Sequence, residues 1–170
     1  MYLDIIDLDK LRRSILYALM LIAVMAVQEL ILSRISIFGV RAMIMPLFPI
    51  AVGMLQGGAW GMVFGLLCGI LCDAMFSETL VLFTIVMPAL GFAATAAERF
   101  LVTKRLTAYF AVGAAGLFAT ALAQALRVFV LYDGELLPML RVAVLQTAYS
   151  LPFIFAMYFP CRALAERSLD

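Results

Sequence analysis

Apolar residues run almost without interruption through six stretches of the chain, about 14–33, 42–56, 58–76, 79–97, 106–130 and 139–163, each bounded by charge, glycine or proline. Several are continuously apolar rather than alternating, and at about 1.5 Å of rise per helical residue most can cross the roughly 30 Å of a bilayer's hydrocarbon. The pattern predicts an all-α membrane protein: six transmembrane helices in one compact bundle spanning residues 1–170. The 42–56 stretch is shorter and carries Pro46 and Pro49. They predict a kinked or tilted second helix, which membrane neighbours tolerate when they satisfy the freed carbonyls, or alternatively a re-entrant hairpin. Short loops throughout leave no room for a second domain.

Composition sharpens this picture. Of 170 residues, 66% are apolar and 14% charged, against about 25% charged in a soluble domain. A net charge of +1 with both signs scattered offers no basic face for nucleic acid. Residues 1–13 mix Asp4, Asp7 and Asp9 with Lys10, Arg12 and Arg13 ahead of a long apolar run, which reads as an anchor rather than a cleaved signal. With six crossings and the N-terminus inside, eight basic residues (Lys10, Arg12, Arg13, Arg99, Lys104, Arg105, Arg162, Arg167) lie on the cytoplasmic side and four (Arg34, Arg41, Arg127, Arg141) outside. That asymmetry favours both termini in the cytoplasm, whereas five crossings would even out the count. The chain has no histidine and three cysteines, of which Cys68 and Cys72 share a helix and Cys161 is distant. A thiol pair or metal site is one reading; buried small apolar side chains is the other. No catalytic residue, cofactor or metal is expected.

Small residues form ridges. Gly57, Gly61, Gly65 and Gly69 recur every four positions and the next step lands on Asp73, which predicts a helix edge where another backbone comes close, within this chain or in a partner. Ala111, Ala115, Ala119 and Ala123 repeat the design and lead to Arg127; Ala89, Ala93 and Ala97 form a shorter version. Charges near a bilayer are costly unless paired or able to snorkel. Asp73 and Arg127 are therefore a candidate pair, joined where the two ridges meet, with Glu29, Arg41 and Arg141 as competitors. Gln28, Gln124 and Gln146 either make interhelical hydrogen bonds or line a small-molecule cavity. Trp60, Tyr132, Tyr149 and Tyr158 read as interfacial or packing aromatics.

The order of these residues from Phe38 to Asp73 resembles the core of the rod shape-determining protein MreD family: a proline in an apolar second helix (Pro46), a short turn, a G-x-x-x-G-x-x-x-G third helix (Gly57, Gly61, Gly65, Gly69) and then an acidic residue, Asp73. Leu47 and the SETL loop depart from the family pattern. The resemblance implies a bacterial plasma-membrane, non-enzymatic scaffold of the cell-elongation machinery, partnered by a bitopic MreC-like protein and linked to MreB and the peptidoglycan synthases. The family is also similar in fold to the substrate-binding (S) components of energy-coupling-factor vitamin transporters, which is the alternative function. That alternative expects an outer ligand cavity and an Ala-x-x-x-Ala pair on the first helix, a spacing that Ala18, Ala23 and Ala26 do not supply.

Overall fold

The computed structural model describes residues 2–32, 34, 36–37, 40–57, 59–75, 81–100, 106–132 and 136–167; Lys104, Arg105, the SETL loop, Asp133 and Glu135 fall outside them. Helix α1 (Tyr2–Val27) passes into a π-helical turn, Gln28–Leu32. Two-residue strands β1 (Ser36–Ile37) and β2 (Val40–Arg41) then pair antiparallel, Ile37 opposite Val40. Six further helices follow: α2 (Leu47–Gln56), α3 (Trp60–Met75), α4 (Leu82–Phe100), α5 (Leu106–Tyr132), α6 (Leu136–Ser150) and α7 (Pro152–Arg167). Apart from the short ladder, the described chain is all-α.

Short α2 is the centre. Every residue from Ala42 to Met54 is buried, and α2 packs against α3, α4, α5 and α7. A helix that is apolar all round belongs inside, because no side of it can face water. One cluster of buried side chains surrounds it, including Tyr17 and Leu21 of α1, Phe64 and Cys68 of α3, Met87 of α4, Tyr109 of α5 and Ile154 of α7. Outward faces are also apolar: Ile22, Ile70, Ile85, Phe92 and Phe159 are all exposed. A molecule apolar inside and out is suited to a hydrocarbon solvent.

The six stretches are not six long helices. Leu11–Leu32 and Leu106–Phe129 are each long and apolar enough to cross a membrane, and α6 with α7 makes a third only if the pair, bent by 47°, counts as one crossing. The break in the 139–163 stretch has a local cause. Pro152 begins α7 and has no amide hydrogen to continue the ladder from α6. Pro46 and Pro49, by contrast, are not a kink. Pro46 sits at the N-cap of α2 and Pro49 in its first turn, where a missing N–H costs nothing because those donors lie outside the helical ladder. The residues before them, Ala42–Met45, are irregular rather than helical.

Candidate functional site

The glycines meet other backbones, and they do so within the chain. A Cβ added to Gly65 would lie 2.7 Å from the Met87 carbonyl oxygen and 2.8 Å from Pro88 Cα, and one added to Gly69 would strike the Phe83 carbonyl. The partner of the ridge is therefore α4. A Cβ added to Gly61 would lie 2.6 Å from the Cα of Gly53 in α2 and 2.7 Å from the carbonyl oxygen of Gly91 in α4. Three helices cross where three glycines coincide. Close backbone approach of this kind replaces hydrophobic association in lipid, where burial from water drives nothing.

Gly57 has a different task from the one its spacing suggested. It lies before α3, at the C-cap of α2, with φ of 65° and its N–H donating to the Gly53 carbonyl at 3.1 Å. Left-handed backbone at a helix end is the conformation for which glycine carries no Cβ penalty. The carboxylate of Glu98 occupies the space beside it. The ridge on α3 thus begins at Gly61.

Asp73 caps a helix. Its Oδ1 accepts from the Phe83 N–H at 3.1 Å, and its Oδ2 accepts from the Thr84 N–H and the Thr84 hydroxyl, each at 2.7 Å. Those are the second and third residues of α4, whose own preceding residue, Val81, has φ of 64° and no capping side chain. A carboxylate from the end of α3 satisfies the free donors of α4 and sits at the positive end of its dipole. The suggested pairing with Arg127 does not form among the described residues. Glycine ridge and alanine ridge do not meet either, because α3 is committed to α4. Arg127 is half-buried with its Nε unbonded.

On α5 the alanine ridge faces outward. Ala111, Ala115 and Ala119 are exposed and Ala123 half-buried, whereas Gly113 and Gly116 on the other side pack against Leu47 and Ile154 and against Ile50. The two small-residue ridges therefore differ in kind: that of α3 is consumed in the fold and that of α5 is available to whatever adjoins it.

Polar side chains inside the apolar stretches hold the irregular segment Ala42–Met45. Gln28 donates from Nε2 to the Ala42 carbonyl at 3.0 Å and accepts the Ile44 N–H on Oε1 at 2.9 Å; the Ser150 hydroxyl accepts the Met43 N–H at 3.0 Å. Cys68 donates weakly to the Met45 carbonyl and the Tyr109 hydroxyl donates to that of Leu47. Buried backbone without a helix must find such partners, since an unpaired polar group in an apolar interior costs several kcal/mol. Gln28 opens the π-helical turn, and Ser150 stands at the α6–α7 break. Gln124 has a lesser partner, the Met43 sulfur at 3.0 Å.

At the opposite end of α2 the polar groups gather again. Gln56 donates to the Tyr17 hydroxyl at 2.8 Å and accepts from Arg13 at 3.1 Å. Cys68, Cys72 and Cys161 are buried free thiols. Trp60 stacks on Phe64 with centroids 6.0 Å apart, and Arg162 lies over the Tyr158 ring.

Sequence reasoning overlooked Gly53, Gln56, Thr84, Glu98 and Ser150, and gave Gly91 no particular weight. Gly53 was within reach, since it extends the four-residue progression backwards from Gly57; the others bond across turns that spacing along one helix does not encode. Comparison with protein-family models, with curated proteins and with solved structures finds no match to this chain.

Proposed function

We propose that this chain is a six-crossing, non-enzymatic scaffold of the bacterial plasma membrane, with both termini in the cytoplasm, that serves the cell-elongation machinery as the MreD family does. The observation that carries this reading is what the resembling residues do. Pro46 starts α2, Gly57 turns the chain, Gly61, Gly65 and Gly69 lock α3 to α4, and Asp73 caps α4. Each makes a rigid body, and none faces a reactive centre; such a body acts through its outer surface.

Six crossings are compatible with a ten-residue α2. The helix supplies about 15 Å, and Ala42–Ile44, ahead of the turn at Met45 and Pro46, supply at most about 10 Å more. Together they come within a few ångströms of the roughly 30 Å hydrocarbon thickness. The contacts between elements agree with alternating direction: Arg13 before the first crossing meets Gln56 after the second, and Glu98 after the fourth lies against Gly57. All four belong to the side assigned to the cytoplasm. At the other end, Gln28 near the end of the first crossing meets Ala42 and Ile44 at the start of the second, and Asp73 near the end of the third meets Thr84 at the start of the fourth.

Affinity capture of the detergent-solubilised protein from membranes of its own host tests the function. A bitopic MreC-like protein should be recovered with it. Recovery of paired ATPases with a large membrane partner would instead assign it to a vitamin transporter.

A further inference from the structure

Helices α5 and α6 part along a groove of about 280 Å³ whose walls include Ala121, Ala125, Val128 and Val142 and whose polar groups are the carboxamides of Gln124 and Gln146. Gln146 makes no hydrogen bond to any described residue, and Gln124 only the weak one to the Met43 sulfur. Two amides with unused donors and acceptors stand in an apolar trough. In hydrocarbon such groups require a polar occupant.

The surroundings say which kind. Leu126, Val142 and Leu145, on the two helices that form the groove, are 49%, 48% and 46% exposed. With α5 and α6 in the membrane as proposed, these exposed apolar side chains face lipid, and the mouth opens sideways into the bilayer rather than to water. The polar lining is uncharged, which suits a neutral acceptor rather than a phosphate or a cation. Depth agrees as well. Gln124 lies five residues from the Phe129 end of the apolar stretch Leu106–Phe129, about 8 Å along the helix. The 24-residue stretch is about 36 Å long and overhangs the roughly 30 Å of hydrocarbon by about 3 Å at each end, which puts Gln124 about 5 Å inside the boundary and its amide within side-chain reach of the glycerolipid ester carbonyls, whichever way the chain is inserted.

The geometry points to a lipid site: an acyl chain of a membrane glycerolipid lies in the α5–α6 groove, and its ester carbonyl accepts hydrogen bonds from the Gln124 and Gln146 amides. The site rests on the membrane placement of α5 and α6 proposed above and not on any partner protein.

Photolabelling of the full chain tests it, using phosphatidylglycerol with a diazirine near the carboxyl end of one acyl chain, in phosphatidylethanolamine vesicles. Adducts should concentrate in the peptides containing residues 121–128 and 138–146. Gln146→Leu should lower that labelling roughly fivefold, the worth of one hydrogen bond, and Val142→Trp, which fills the mouth, should lower it at least as much. Ile70→Trp, on the exposed face of α3, should leave it unchanged. Circular dichroism of each variant separates loss of the site from loss of the fold; should Val142→Trp unfold, Gln146→Leu decides alone. Adducts spread evenly over all lipid-facing helices, or groove adducts indifferent to Gln146→Leu in a folded protein, would overturn the assignment.

Discussion

Gly65 shows what one residue contributes. Its missing side chain admits the Met87 carbonyl and Pro88 into van der Waals range of the α3 backbone, so Gly65→Leu must drive two helices apart. We expect a loss of about 3 kcal/mol, the upper part of the overpacking range, since backbone cannot swing aside as a side chain does. Leu67→Ala, on the exposed face of the same helix, should cost under about 0.5 kcal/mol. Thermal unfolding in detergent measures both; equal losses would place the ridge against lipid. Asp73 belongs to the same scale. Asp73→Ala removes the acceptor for two N–H groups and should cost about 1 kcal/mol, as a lost cap does. Arg127→Ala should add to it without coupling, because the two residues share no partner. A coupled double substitution would restore the ion pair that the sequence suggested.

At the scale of elements, much of the fold was legible and the exceptions have physical causes. The apolar stretches 58–76, 79–97 and 106–130 correspond to α3, α4 and α5 within a few residues, because continuous apolarity and short polar breaks specify helices with little interference. Close packing along the glycine ridge was legible too, though its partner was not, since a ridge says how near a neighbour comes and not which one. In the 42–56 stretch the prolines mark a helix start and not a kink within a helix. Proline is equally suited to a helix start, and composition alone does not separate the two. The 139–163 stretch hid a break for the opposite reason: Pro152 lies amid apolar residues that continue on both sides. Of the two readings open for Gln28, hydrogen bonding between elements is the one it adopts, with irregular backbone as its partner. Gln28→Leu leaves the Ala42 carbonyl and the Ile44 N–H buried and unpaired, and should cost about 2–6 kcal/mol at about 1–3 kcal/mol per stranded group. Ser150→Ala strands one group and should cost about half. Unfolding midpoints of the two variants check the ratio; indifference to Gln28→Leu would mean that water reaches the segment.

For the whole molecule, the proposed six crossings require residues 42–56 to cross the membrane instead of entering and returning. The short α2, the irregular residues ahead of it and the tight turn at Gly57 would serve either a crossing or a re-entrant hairpin in the abstract. What separates the two is the side on which the following turn emerges. Ala59 is exposed at that turn, and a re-entrant segment would return it to the side of Arg34. The native thiols are buried, so single cysteines introduced at the surface can be read against a low background. An impermeant maleimide applied to intact cells should label Arg34→Cys and leave Ala59→Cys and Thr103→Cys unlabelled until the membrane is permeabilised. Labelling of Ala59→Cys from outside, with Arg34→Cys also reactive, would contradict the second crossing and the six-crossing scaffold with it.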